Sequence, residues 1–190
     1  MCPGVALTAI VSFPEVLAAA QSGAPWALQR LYAELSGTVL AYCRTRGAPD
    51  PEDVTSEVFL SAFTALRDFT GDEANFRAWL FTIAHRRLVD AYRQQSRRPQ
   101  TAPYVGDQDA RTAPSSEDEA LTALATERVR DMLSDLPPDQ RDVLLLRILG
   151  DLTIEAIAET LGKSEGAVKA LQRRALAALR KRIEREGVSL

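Results

Sequence analysis

The amino-acid sequence predicts an all-α protein: two small helical domains joined by a flexible acidic linker, the C-terminal one a helix-turn-helix. Apolar residues recur at three- and four-residue spacing along most of the chain, and the alternating β-branched pattern of strands is absent. Residues 99–116 differ, because they are rich in Pro, Gly, Thr, Asp and Gln and almost lack aliphatic residues. The 190 residues suffice for two small hydrophobic cores.

Capping signals order the helices of the N-terminal half. Ser12 and Glu15 form a candidate capping box for a short helix that ends near Gly23. A second helix is predicted from about Pro25, and Asp50 is the expected N-cap of a third, which a longer fourth helix follows. We divide the chain into an N-terminal extension (1–24), a first domain (25–98), a linker (99–116) and a second domain (117–190).

The net charge of −3 conceals an uneven distribution. Residues 163–185 contain eight basic and two acidic side chains, and residues 85–98 contain five arginines and one aspartate. Residues 107–119 contain five acidic side chains and one arginine. Clustered Arg and Lys are the electrostatic signature of nucleic-acid binding, so we expect two DNA-binding faces in an otherwise acidic protein.

The composition argues against several classes of protein. Cys2 and Cys43 form no CxxC pair, which speaks against a disulfide framework or a zinc site, and we expect Cys43 to be a small buried apolar residue. His85 is the only histidine and is interpreted as a helix-surface residue. We expect no metal and no cofactor. The chain has neither an 18-residue apolar run nor a signal-peptide pattern, so we also expect a cytoplasmic location.

The segment "TIEAIAETLGKSEGAVKAL" has the spacing of a helix-turn-helix. Ile157 faces inward from the first helix, Gly162 permits the turn, Ser164 caps the second helix and Val168 packs it back. Outward residues of such a second helix face the major groove, where Arg and Lys pair with guanine and Gln with adenine. The expected DNA contacts are Ser164, Glu165, Lys169, Gln172, Arg173 and Arg174. The alternative is a helical hairpin whose charged face is merely solvated.

Two long segments together resemble the extracytoplasmic-function (ECF) group of bacterial sigma factors. Residues 50–99 are similar to the second conserved sigma region and residues 136–180 to the fourth, and the resemblance covers roughly residues 25–98 and 119–183. It implies a promoter-specificity subunit without catalysis of its own. The implied partners are RNA polymerase core, through its clamp helices and flap tip, promoter DNA, and an anti-sigma factor as a candidate.

The resemblance implies that the acidic start of the third helix docks on the clamp helices. Four carboxylates between positions 50 and 57, with no basic residue, suit an Arg-rich partner, although acids at a helix N-terminus are also favoured by the helix dipole. The implied polymerase contacts are Asp53, Ser56, Glu57, Phe59 and Phe63. Ser56 stands where the family often has Gln.

The resemblance also implies that residues 70–98 recognise and open the minus-ten promoter element. Trapping an unstacked base requires a pocket, apolar or aromatic surface and a basic track for the backbone, and the loop 70–75 is the expected pocket. The implied contacts are Asn75, Phe76, Arg77, Trp79, Arg86, Arg87 and Arg93. Phe76 and Trp79 share a face with Ile83, so a role in the core is the alternative for both. Arg86 replaces a frequent Asn of the family.

In the C-terminal domain the resemblance assigns minus-thirty-five recognition to the second helix of the helix-turn-helix. The preceding helix has more apolar surface than so small a domain needs, at Val143, Leu144, Leu146 and Ile148. The polymerase flap tip or an anti-sigma factor would cover it. The linker would enter polymerase channels, or act as a plain tether.

Two other functions remain open from the sequence. A one-component helix-turn-helix regulator would share the C-terminal motif, but would not explain an acidic helix followed by an aromatic and basic one. A metal-dependent nucleic-acid enzyme would use Asp53, Glu57 and Asp72 as ligands, of which the first two share a helix face.

Overall fold

The computed structural model describes residues 11–97 and 128–186. The first part contains α1 (Phe13–Gln21), α2 (Pro25–Arg46), α3 (Pro51–Ala65), a 3₁₀ turn (Leu66–Asp68) and α4 (Glu73–Arg97). The second part contains α5 (128–134), α6 (Pro138–Ile148), α7 (Ile154–Leu161) and α8 (Glu165–Glu186). The described residues include no strand, which confirms the predicted fold class. The predicted linker, residues 99–116, lies outside them.

The helix starts follow the predicted caps. The backbone N–H of Ser12 donates to the Glu15 carboxylate at 2.8 Å, and Asp50 accepts from the backbone N–H of Asp53 at 3.0 Å. Each such contact satisfies an amide that has no partner within its helix. The chain N-terminal to α2 therefore includes a properly capped helix, which packs on α2 and the 3₁₀ turn.

The core of the N-terminal half lies between α2, α3 and α4. Its fully buried side chains include Leu31, Val39, Tyr42, Val58, Leu80 and Leu88. One side is covered by α1, which buries Val16, Leu17 and Ala20. Burial of one large apolar side chain contributes about 1.5–3 kcal/mol, so α1 is an integral part of this half.

Helix α6 is buried on several sides at once. Four consecutive residues, from Val143 to Leu146, are at most 1% exposed, whereas a helix on a domain surface buries only one stripe. Helices α7 and α8 cover one side, and α2 of the N-terminal half contacts another. Most of the apolar side chains that the sequence analysis counted as an excess on this helix are therefore buried. Of that set, Ile148 is 65% exposed.

The two halves meet along α2 and α4 on one side and α6 and α7 on the other. Arg46 Nε lies 2.7 Å from Asp142 Oδ1, and both side chains are at most 10% exposed. The hydroxyls of Thr82 and Thr160 are 2.8 Å apart. These contacts place α7, the first helix of the helix-turn-helix, directly on α4.

Phe81 of α4 packs on the turn between α6 and α7. A Cβ at Gly150 would lie 2.6 Å from the Leu146 carbonyl oxygen and 3.3 Å from the Phe81 ring, so only glycine leaves room there. Phe81 is fully buried and meets the Tyr42 ring edge-on at 5.6 Å. An aromatic side chain of one half thus fits against a glycine of the other.

The predictions for Cys43 and His85 had different outcomes. Cys43 is fully buried, as expected, and burial raises the pKa of its thiol to about 11. His85 is half-buried where an exposed helix-surface residue was expected, and its Nδ1 lies 3.1 Å from the Tyr42 hydroxyl. Burial, followed by the nearby charges of Arg46 and Arg86, lowers the pKa of His85 to about 4, so this side chain is neutral at physiological pH.

Candidate nucleic-acid and polymerase interfaces

The turn between α7 and α8 has the geometry that a helix-turn-helix requires. Gly162 ends α7 with φ of 63°, a left-handed conformation that favours glycine. Ser164 Oγ accepts from the backbone N–H of Ala167 at 3.3 Å and caps α8, while Thr153 caps α7 in the same way. Val168 is fully buried and fixes the first turn of α8 to its domain.

The outward residues of α8 form an open basic surface. Glu165, Lys169, Arg173 and Arg174 are exposed, and Gln172 is half-buried. Lys169 Nζ lies 3.1 Å from the Glu165 carboxylate, an exposed i, i+4 pair that contributes about 0.3–0.5 kcal/mol and exchanges easily for another partner. The side chains predicted to face a major groove are therefore presented together on one helix.

The basic helix α4 is backed by an aromatic cluster of Phe69, Phe76 and Trp79. Their ring centroids lie 5.0 to 5.7 Å apart, and Phe13 of α1 adds a fourth ring 5.7 Å from Phe76. Phe76 is 1% exposed, which favours the core alternative for this ring over a direct contact with DNA, because a ring so enclosed supports its neighbours. Trp79 is half-buried and retains an accessible edge.

The loop 70–75 is held at the start of α4. Asp72 and Asn75 exchange hydrogen bonds, from the Asn75 N–H to Asp72 Oδ1 at 2.8 Å and from the Asp72 N–H to Asn75 Oδ1 at 3.3 Å. Gly71 has φ of 151°, and a Cβ there would meet the Asn75 Cβ at 2.7 Å. Asn75 is exposed, and it lies in the first turn of α4, so the last three residues of the predicted loop 70–75 belong to this helix.

Most of the predicted α4 arginines have contacts within the protein. Arg77 lies 3.5 Å from Glu73 and Arg93 lies 3.4 Å from Asp90. Arg87 donates to Ser61 Oγ of α3 at 2.7 and 3.1 Å. Arg86 is exposed. Exposed pairs of this kind contribute at most about 1 kcal/mol, so a phosphate can displace them.

The predicted polymerase surface on α3 is only partly available. Asp53, Ser56 and Glu57 are exposed, whereas Phe59 is 3% exposed and packs edge-on against Tyr32 at 4.8 Å. Phe59 therefore belongs to the core of this structure, and its assignment as a docking residue stays a prediction. Phe63 is half-buried and its ring lies 5.7 Å from that of Phe59.

Leu60 is a surface residue that the sequence analysis missed. It is 70% exposed, three residues after Glu57 and four after Ser56, so it shares their helix face. The helical spacing of Leu60 from the two polar residues could have identified it. Of the four carboxylates between positions 50 and 57, Asp50 serves as the cap and Glu52 contacts Arg44, which leaves Asp53 and Glu57 on the open face.

Within residues 11–97 and 128–186, no three His, Cys, Asp or Glu side chains gather in a way that would hold a metal ion. Asp53, Glu57 and Asp72 are thus not brought together as the enzyme alternative would require. None of the described helices is both long enough and apolar enough to cross a membrane.

Comparisons with known proteins cover both halves. The chain matches the family Sigma-70 region 2 over residues 30–98 and the family Sigma-70, region 4 over residues 126–179. It is 35% identical to the ECF sigma factor BldN of Streptomyces coelicolor over 87% of this chain and 63% of BldN. It is 32% identical to the ECF sigma factor SigD of Mycobacterium tuberculosis over 90% of this chain and 84% of SigD.

A solved structure of CnrH in complex with the cytosolic domain of CnrY is also similar. It is 30% identical, and the match covers 89% of this chain and 95% of CnrH with a TM-score of 0.63. The two sigma regions occur in the expected order, and the relatives align across both. The chain therefore belongs to the extracytoplasmic-function group of sigma factors, the subunits that direct RNA polymerase to promoters.

Proposed function

We propose that this chain acts in the cytoplasm, joins core RNA polymerase and recognises two separate promoter elements without catalysing a reaction itself. The observation that carries the proposal is the presence of two basic surfaces of different construction. One is an open helix face on α8, suited to an intact duplex. The other lies on α4, next to an aromatic cluster and a fixed loop, and suits a melted strand.

At the minus-thirty-five element, α8 would enter the major groove. Arg173 and Lys169 suit guanine edges, Gln172 suits adenine, and Arg174 suits a phosphate. Ser164 and Glu165 lie at the start of the helix, where residues of a recognition helix approach the bases. Binding through so few contacts should be weak and strongly dependent on salt in the absence of polymerase.

At the minus-ten element, the melted strand would follow α4. Asn75 on the loop, and the accessible edge of Trp79, would contact an unstacked base. Arg77, Arg86, Arg87 and Arg93 would contact the backbone phosphates. Phe76 would act from beneath, by holding Phe69 and Trp79 in place.

Two surfaces would contact polymerase. Asp53, Ser56, Glu57 and Leu60 combine negative charge with one exposed apolar side chain and suit the clamp helices. Ile148, the exposed end of the otherwise buried α6, suits the flap tip. Joining both halves through polymerase would raise the effective concentration of each at its promoter element.

The packed arrangement of the two halves must open before both elements are bound. The elements are separated by about 25 base pairs, or about 85 Å at about 3.4 Å per pair. Thr160 touches Thr82 of α4, and α8 begins five residues later, so its start lies within about 19 Å of α4. Polymerase binding would therefore have to separate α7 from α4.

The CnrH structure suggests a further kind of partner. CnrH was solved with the cytosolic domain of CnrY bound, and its overall similarity to this chain extends over both halves. We propose that a protein comparable to CnrY binds this chain across the two halves in their packed arrangement.

In vitro transcription from a library of genomic fragments tests the proposal. Bacterial core polymerase is used with and without this protein, and the start sites of the RNA are sequenced. New starts that share two upstream elements would support the sigma function. Tight DNA binding without polymerase, together with no new starts, would contradict it and favour the one-component regulator.

A further inference from the structure

Helix α1 contacts the residues that flank the predicted minus-ten loop, Phe69 before it and Phe76 after it. It lies N-terminal to the matched sigma region, which begins at residue 30. Phe13, at its start, lies against Phe76, and Gln21, its last residue, reaches the end of the 3₁₀ turn. The two ends of α1 thus touch the two sides of the aromatic cluster.

The Gln21 side chain holds the chain just before the loop. Its Nε2 donates to the carbonyl oxygen of Phe69 at 2.7 Å and to that of Leu66 at 3.1 Å. The Leu66 oxygen also accepts from the backbone N–H of Phe69 at 3.1 Å, and the Gln21 amide has the two hydrogens needed to bond this oxygen and that of Phe69 together. No other residue type of this length supplies two neutral donors at one nitrogen.

Phe69 transmits this constraint to the loop. Its backbone precedes Thr70, its ring lies 5.4 Å from Phe76 and 5.0 Å from Trp79, and a Cβ on Gly71 would approach its ring at 3.1 Å. The other end of the loop is fixed by the Asp72 and Asn75 hydrogen bonds. Gln21 therefore fixes the backbone just before the loop, while the Asp72 and Asn75 hydrogen bonds fix its end.

We infer that Gln21 is a positioning residue for capture of the minus-ten base, and that α1 is a working part of promoter opening. The inference rests on the proposed role of the loop 70–75. Gln21 does not touch DNA. It keeps Phe69, and with it the accessible edge of Trp79 and the position of Asn75, in the geometry that receives an unstacked base.

The test compares Gln21→Glu and Gln21→Met with the wild type. A carboxylate has no donor and would face two carbonyl oxygens, while methionine removes the donor without adding charge. Gln29→Glu, on the exposed side of α2, is the matched control for charge. Promoters come from the library experiment, each with a series of single-base changes in the minus-ten element.

Three quantities are measured: affinity for core polymerase, yield of open complex by 2-aminopurine fluorescence, and the ratio of open complex on the native and base-changed promoters. We expect both Gln21 variants to form about tenfold less open complex than the wild type, which is the size of effect expected for two lost hydrogen bonds. Their affinity for core polymerase should be unchanged. The ratio of open complex on the native and base-changed promoters should move toward one. Gln29→Glu should behave as wild type.

A merely structural role would lower the melting temperature and core affinity while leaving the ratio unchanged, and that result would overturn the inference. Open complex equal to wild type in both variants would also overturn it while leaving the proposed function intact. If the wild type itself forms no open complex on any promoter, the proposed function fails and the inference fails with it.

Discussion

The two basic surfaces, on α4 and on α8, differ in how they are supported. The α8 surface is supported by a capped turn, by the buried side chains of Val168 and Ala175 and by contacts of α8 with α6 and α7, and its charged side chains extend into solvent. The α4 surface depends on α1, on the 3₁₀ turn and on three closely packed rings. The support of the α8 surface comes from consecutive helices of one half, whereas that of the α4 surface includes side chains 48 residues apart in sequence.

This difference matches the two tasks proposed for the surfaces. A duplex already presents its base edges in the groove, so a rigid helix with exposed donors suffices. A melted strand has no fixed shape, so the protein must supply the geometry that the DNA lacks. A fixed loop and a supported aromatic edge meet that need. Mutations near α8 should thus have local effects, whereas mutations around α4 should act over longer distances.

The largest effect is expected at the contact between the two halves, which holds the α4 and α8 surfaces close together. Arg46→Ala leaves Asp142 in the contact without its counter-charge, and loss of one partner of a buried pair costs about 3–5 kcal/mol. We expect the two halves to separate, and small-angle X-ray scattering should report a larger radius of gyration. The contact between α7 and α4 would then be lost.

Arg30→Ala is the matched control, because Arg30 also lies on α2 and pairs with Glu34 at 2.9 Å, but in an exposed position. Its radius of gyration should equal that of the wild type. An Arg46→Ala protein as compact as the wild type would mean that the apolar packing around α6 and Phe81 holds the halves without this pair.

A smaller effect is expected for Arg173→Ala on the exposed face of α8. Loss of one arginine contact to a base should cost about 1–3 kcal/mol in promoter affinity, concentrated at one position of the minus-thirty-five element. Transcription in vitro from promoters with single-base changes measures it. Open-complex formation on a template with a premelted minus-ten region should stay near the wild-type level, and an equal loss on that template would contradict the separation of the two surfaces.

The smallest effect is expected from pH, through Asp142. Burial outweighs the attraction of Arg46 and raises the pKa of Asp142 from 3.8 to about 6. The packed arrangement therefore holds the proton more tightly than an open one. Its stability should be greatest below the open-state pKa and should fall as pH rises through 6, by at most about 1.4 kcal/mol per unit.

Scattering between about pH 7.5 and 5.5 should show the packed fraction increase on acidification, and Asp142→Asn should remove the dependence. His85, with its pKa lowered to about 4, stays neutral over this range. The ionisable groups that act on Asp142 or are influenced by it are Arg46, Asp139, Arg141, Lys163, Tyr42 and Tyr92. A packed fraction that decreases on acidification would contradict the sign of the shift.

Local signals predicted much of the structure correctly. Asp50, Gly162 and Ser164 were identified as caps or turns from sequence, because capping depends on residues three or four positions apart. The exposure of Lys169 and Arg173 followed from the same helical period. The period also placed Phe76 on a face shared with Ile83, but it does not reveal which neighbours cover an aromatic side chain such as Phe59 or Phe76.

The contacts that the sequence analysis missed join distant parts of the chain. Gln21 and Phe69 are 48 residues apart, and Arg46 pairs with a residue of the other half. His85 was taken for a surface residue because its partner, Tyr42, lies on another helix. No pattern within one helix predicts such pairs.

The sequence alone was enough to predict that this protein is helical, that it has two basic faces and where its helices begin. Those properties arise from composition and from interactions between near neighbours. The packed structure was needed to show which aromatic rings are enclosed, that α1 contacts Phe69 and Phe76, and that α6 is buried between the two halves. These depend on side chains brought together by packing, which local spacing does not encode.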